Sequence, residues 1–179
     1  MSRSVAALIM LTSAAVSGAA QNDSVVRLEP SAFADLPRGV IAHLEGRGCR
    51  IPQSFSSDKP HNVVRGRFEK PGREDWAVLC SVKGISSILI FRADSVVPSA
   101  ELAPERDEIF LQDTGSGRME YSRAIGVAGP QRIAEILRQE SVEFRAGSLY
   151  DAVEDAFLEK ASTINYYHDK RWLQLQGAD

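Results

Sequence analysis

The stretch that most limits what this chain can fold into is WAVLCSVKGISSILIF, residues 76–91, two apolar runs joined by Lys83 and Gly84. A two-residue connection containing glycine between such runs specifies a β-hairpin. In that register Trp76, Val78, Cys80 and Val82 share a face with Phe91, Leu89, Ser87 and Ile85, while Ala77, Leu79, Ile88 and Ile90 point to the other side. Both faces are apolar. The hairpin must therefore be covered on two sides, which predicts the first helix on one face and another layer on the other.

The flanking segments supply those layers. Leu36, Val40, Ile41 and Leu44 are spaced as on one helix face, with Asp35 as N-cap and Gly46 or Gly48 as the stop. RIPQSFSSDKPHN reads as a loop and NVVRGRF as a third strand. Residues 92–106 read as a connector, after which EIFLQ and MEYSRAIGVA are predicted strands around the turn DTGSGR. GPQRIAEILRQE is a helix with Pro130 in its first turn and Ile133, Ile136 and Leu137 as its apolar stripe. GSLYDAVEDAFLEKAS reads as a further helix, with Ser148 and Asp151 as a capping box and Leu149, Val153, Ala156 and Phe157 on one face. TINYYHDKRWLQLQGAD is a hairpin turning at Asp169 and Lys170. The expectation is an α+β fold, a mainly antiparallel sheet built from β-hairpins with two or three helices.

Residues 1–20 carry one cation at Arg3, an apolar run from Val5 to Val16 and then small residues, the layout of a cleavable signal peptide. That run is too short to span a bilayer, which takes about 20 apolar residues. The expected product is a single α+β domain over residues 21–179, periplasmic or secreted, with no stable membrane span. In an oxidising compartment Cys49 and Cys80 are expected to pair. Closing that loop stabilises the fold by about 3–4 kcal/mol on the chain-entropy model. Residues 21–179 hold 20 basic against 24 acidic side chains, a net charge of −4. Nucleic acid, which needs a clustered basic surface, is not an expected partner.

Within GRFEKPGREDWAVL, Gly66, Phe68, Gly72, Asp75 and Trp76 fall on a glycine, aromatic, glycine, aspartate and apolar pattern. The segment resembles a degenerate FG-GAP turn, the calcium loop of integrin-type propeller repeats. Arg67 and Pro71 occupy two of the ligand positions and Glu69 replaces a third, so the resemblance implies a retained turn without its metal site. GCRIPQ, DWAVLCS and WLQLQGAD are similar to small exported bacterial proteins of unassigned function, which implies an address and a fold unit rather than an activity.

His43, His61 and His168 show no metal-motif spacing, and no G-x-S-x-G, H-E-x-x-H or phosphate loop occurs. Glu101, Glu105, Asp107 and Glu108 read as a solvated acidic loop. No cofactor and no metal are expected. In the last hairpin, Ile164, Tyr166, Leu173 and Leu175 are predicted to face the core, while Asn165, Tyr167, Trp172, Gln174 and Gln176 share the other face. Two aromatic rings beside amides can hold a sugar or a peptide strand by stacking and hydrogen bonding. This makes Tyr167, Trp172, Asn165 and Gln174 the candidate ligand-binding residues of a non-catalytic module for a protein or glycan. An alternative is an extracytoplasmic hydrolase with a scattered site drawn from His61, Glu74 and Asp75. A structural envelope component is the third.

Overall fold

The computed structural model describes residues 25–177 other than 116 and 146, so the signal segment lies outside the described residues. Strand β1 (Arg27–Leu28) pairs with β2 (Ile51–Pro52), and helix α1 (Arg38–Gly46) lies between them in sequence. Strands β3 (Val63–Gly66), β4 (Asp75–Val82), β5 (Ile85–Phe91) and β6 (Ala100–Arg106) follow as an antiparallel meander, the first sheet. A small hairpin of β7 (Leu111–Asp113) and β8 (Met119–Tyr121) leads to β9 (Arg123–Ala128) and helix α2 (Pro130–Gln139). Strands β10 (Ala152–Phe157), β11 (Ala161–His168) and β12 (Arg171–Gln176) complete a second antiparallel sheet in the order β12-β11-β10-β9. The fold is α+β and mainly antiparallel.

The central hairpin has the register read from its sequence, from Trp76 opposite Phe91 to Val82 opposite Ile85. Lys83 and Gly84 take φ of 53° and 79°, the left-handed pair a tight hairpin requires. One face packs Val78, Cys80, Leu89 and Phe91 against Leu36, Val40 and Leu44 of the α1 region. The other packs Ala77, Leu79, Ile88 and Ile90 against Ile125 and Val153 of the second sheet, with Phe68, Phe110 and Tyr121 filling the space between. On the far side of the second sheet, Ile133 and Leu137 of α2 cover Ala128, Ala152, Ile164, Tyr166 and Leu175. The layers run helix, sheet, sheet, helix. Full burial of Leu79, Ile88, Leu89 and Ile90 contributes about 1.5–3 kcal/mol each.

Several expectations are corrected. Helix α1 starts three residues after Asp35, because Pro37 disfavours helical geometry at Leu36, and no side chain caps it. Residues 100–106 are strand β6 rather than connector, its pattern hidden by charges and Pro104 on a sheet edge. Residues 108–110 of the expected strand EIFLQ fall in a 3-10 turn over 107–110, and MEYSRAIGVA breaks at Ser122, whose N–H and hydroxyl both donate to the Phe110 carbonyl. Residues 152–157 form β10 instead of a helix. The four-residue spacing of Val153 and Phe157 satisfies a strand face as well as a helix face. Its position between β9 and β11 makes both faces apolar at Ala152 and Val153. Asp151 caps nothing: its Oδ2 accepts the Arg67 N–H at 2.8 Å.

Candidate functional site

The β11–β12 hairpin turns on Asp169 and Lys170, with φ of 47° and 65°, and places Tyr167 directly opposite Trp172. Their ring centroids stand 5.5 Å apart at a 60° tilt. Both rings are half-buried, and Trp172 leans on the core between the sheets. Arg92 lies within electrostatic range of Tyr167, and its pKa is raised by the hydrogen bond from its Nε to Glu69. Glu69 accepts that bond at 2.6 Å and a second from the Ser99 hydroxyl at 2.6 Å. The result is an aromatic ledge leaning on the core rather than an open platform.

The two amides of that face differ. Asn165 is 2% exposed, and its side chain is spent internally, Nδ2 donating to the Val153 carbonyl and Oδ1 accepting from Gln174 Nε2 at 3.1 Å. It holds Gln174 in place. Gln174 itself is exposed, as a ligand contact requires. On the opposite face Ile164, Tyr166 and Leu175 are core as expected, but Leu173 is 38% exposed. The alternation places it on the helix-covered face correctly; the cover simply stops short of it at the sheet edge.

The residues of the scattered hydrolase site are not brought together. Glu74 pairs with Arg65 on the surface. Asp75 is fully buried and accepts from the Arg73 guanidinium at 3.0 Å and from the N–H groups of Glu69 and Ala93. This carboxylate ties the 67–74 loop to the end of β5. His61 is held elsewhere: its Nε2 accepts the Ser54 N–H at 2.8 Å with the Ser54 hydroxyl also at 2.8 Å, and its Nδ1 faces the Lys59 carbonyl at 2.9 Å. Ser54 borders a cleft of about 410 Å³ lined also by Val26, Phe55, Lys59 and Tyr121.

A serine hydroxyl on an imidazole beside a cleft has the outline of a nucleophile and base. One lone pair on Nε2 nevertheless serves both the hydroxyl and a backbone N–H, so this nitrogen is occupied in closing the loop. The Gln53 side chain reinforces the closure, accepting the His61 N–H and donating to the His61 carbonyl. His43 sits in α1 edge-on to Phe91, and His168 lies at the hairpin tip 3.6 Å from Asp169. Among the acidic residues, Glu101 is held below the usual carboxylate range by the Ser87 hydroxyl and then by Arg47. Asp107 is buried, accepting from Arg27 and Ser81. Glu105 accepts the N–H of Arg106, whose side chain pairs with Glu108. Among the described residues, no group of three or more His, Cys, Asp or Glu is arranged to hold a metal ion.

Two polar residues that sequence reasoning passed over join the sheets. Arg123 is fully buried, and all five of its donors are used: two on Asp155 at 2.9 and 2.8 Å, two on the carbonyl and hydroxyl of Ser86, and one on the Ala103 carbonyl at 2.7 Å. Ala103 takes φ of 47° where β6 slips register against β5. Asn62 is 1% exposed; its Oδ1 accepts the Ile125 N–H at 2.9 Å and its Nδ2 donates to the carbonyls of Pro52 and Arg123. A signal for Arg123 existed, since strand alternation puts it on the same face as the inward Ile125.

These features define an α+β protein of two facing antiparallel sheets, each covered by a helix and joined by buried polar groups. No protein-family model, curated protein or solved structure matches the chain. Cys49 and Cys80 form a disulfide, and no helix among the described residues is long and apolar enough to cross a membrane.

Proposed function

We propose that this protein is an exported, non-catalytic binding module for a protein segment or a glycan, with the ligand contact on the β11–β12 hairpin. The observation that carries the reading is the half-exposed Tyr167–Trp172 pair at the hairpin tip, with exposed Gln174 beside it on the same face. Aromatic planes next to a fixed amide recognise ligands that present both an apolar face and hydrogen-bonding groups. Asn165 serves by orienting Gln174. The disulfide supports the export reading, because such bonds persist in oxidising compartments.

Binding of residues 21–179 to glycan and peptide arrays tests the proposal. The expected result is saturable capture that weakens about threefold to tenfold in Trp172→Ala and Tyr167→Ala, the magnitude of one lost ring contact. Absence of capture by the wild-type chain, or capture untouched by both variants, contradicts it. Labelling of Ser54 by a fluorophosphonate probe would instead favour the hydrolase reading.

A further inference from the structure

A sheet edge presents unpaired main-chain donors and acceptors, and the edges here are treated unequally. Strand β9 is closed by a side chain, because Asn62 accepts the Ile125 N–H and donates to the Arg123 carbonyl. The chain leaving β3 is closed by the mutual bonds of Arg67 and Asp151, the Arg67 N–H to Asp151 Oδ2 and the Asp151 N–H to the Arg67 carbonyl. Strand β6 is blunted by its register shift, by Ala103 at positive φ, by Pro104 and by Glu101, Glu105 and Arg106. Strand β12, RWLQLQ, has no proline, no glycine, no bulge and a single charge at its first residue.

The hairpin geometry fixes which β12 groups are outward. Residues flanking a two-residue turn form a hydrogen-bonded pair, so Arg171, Leu173 and Leu175 direct their main-chain groups to β11, and Trp172 and Gln174 direct theirs away. Donors and acceptors repeating every second residue are matched by another extended chain.

We infer that β12 is a docking edge for a second copy of this chain, paired antiparallel about a two-fold axis at Leu173. In that register the outward groups of Trp172 meet those of Gln174 of the partner subunit. Leu173, the exposed apolar side chain of the hairpin, lies against Leu173 of the partner subunit. Arg171 falls opposite Leu175 of the partner subunit, so no like charges face each other. The contact is isologous and closes on itself, as two-fold dimers require. It joins two second sheets into one continuous sheet and uses the strand edge rather than the ring face, so self-association is separable from ligand capture.

Sedimentation velocity of residues 21–179 across the micromolar range tests the inference. The wild-type chain is expected to be a reversible dimer. Leu173→Lys and Leu173→Glu, each checked for native circular dichroism, are each expected to weaken it at least about tenfold by setting like charges across the axis. An equimolar mixture of the two is expected to recover the dimer. Gln174→Pro, which removes an outward N–H without touching the ladder to β11, is expected to give a monomer. A monomeric wild-type chain, a dimer indifferent to these changes, or charge variants that do not recover on mixing overturns the proposal.

Discussion

The two helix-covered sheets are close in plan and differ in what ties them together. In the first, α1 ends next to Cys49, which is bonded across 31 residues to Cys80 in β4, with Cα atoms 5.5 Å apart. Arg50 and Ser81 bridge main chains immediately beside it. In the second, α2 is held by its apolar stripe and by Arg132, whose two nitrogens reach Glu154 at 3.1 and 2.9 Å. The Arg132 side chain is 40% exposed, so the pair adds little beyond orientation. The first half is a stapled template with its central strands covered on both faces. The second half carries the aromatic ledge and the open edge, and noncovalent packing alone keeps it in shape.

The difference is best broken at Arg123, the strongest polar link between the halves. Arg123→Met leaves the Asp155 carboxylate, 12% exposed at the margin of a groove, and the buried Ser86 carbonyl without their partner, and is expected to cost about 3–5 kcal/mol in urea unfolding. The double variant Arg123→Met, Asp155→Leu is expected to recover part of that loss. Removal of the staple comes next. Cys49→Ala with Cys80→Ala is expected to lower stability by about 3–4 kcal/mol, and to raise amide exchange in α1 while leaving α2 and β10–β11 close to the wild type.

Adjacent residues of β12 sharpen the account of the second half. Trp172→Ala, which strips a ring from the inter-sheet core, is expected to cost about 1–3 kcal/mol, whereas Leu173→Ala on the exposed margin is expected to cost about 1 kcal/mol or less. Chemical denaturation of both variants, at a concentration where the chain is monomeric, checks the order. Sequence alternation alone predicts the reverse.

A further effect appears only in alkali. Burial raises the Tyr121 pKa, a shift opposed by its hydrogen bond with Ser86. The folded state then keeps this proton above pH about 10, where the unfolded state releases it. A raised folded pKa gives stability that is intact below the unfolded value and is lost as pH rises beyond it. Unfolding free energy is expected to fall by up to about 1.4 kcal/mol per pH unit above pH 10 from this group. Tyr121→Phe, measured at the same pH values, is expected to show a shallower decline.

What was legible in the sequence follows from how each element earns its stability. The hairpins at Lys83–Gly84 and Asp169–Lys170 were readable to the residue, because two-residue turns and alternation fix register locally. Helices α1 and α2 were visible as apolar stripes. Strand β10 was not, since its apolar spacing suits either period and only pairing with β9 and β11 decides the matter. Strand β6 was obscured because an exposed edge carries the same charges and proline as a loop. At the candidate site, the partners Tyr167 and Trp172 were legible, while the burial of Asn165 and the exposure of Leu173 depend on the neighbouring sheet and on where α2 ends. Arg123 and Asn62 were missed because their partners lie 10 to 63 residues away in the chain, on elements that only the folded sheets bring together.

Native-state hydrogen exchange on residues 21–179, followed by mass spectrometry at peptide resolution, tests the contrast between a stapled template and an adaptable binding half most directly. Local stability follows buried contacts and covered strands, and ligand-binding segments are drawn from the less stable end. The predicted result is slow exchange through residues 75–91, near the global unfolding limit, with β12 exchanging faster and slowing when the arrays' ligand is added. Equal protection of β12 and of the central hairpin in the ligand-free monomer, or exchange in β12 that a bound ligand leaves unchanged, would contradict it.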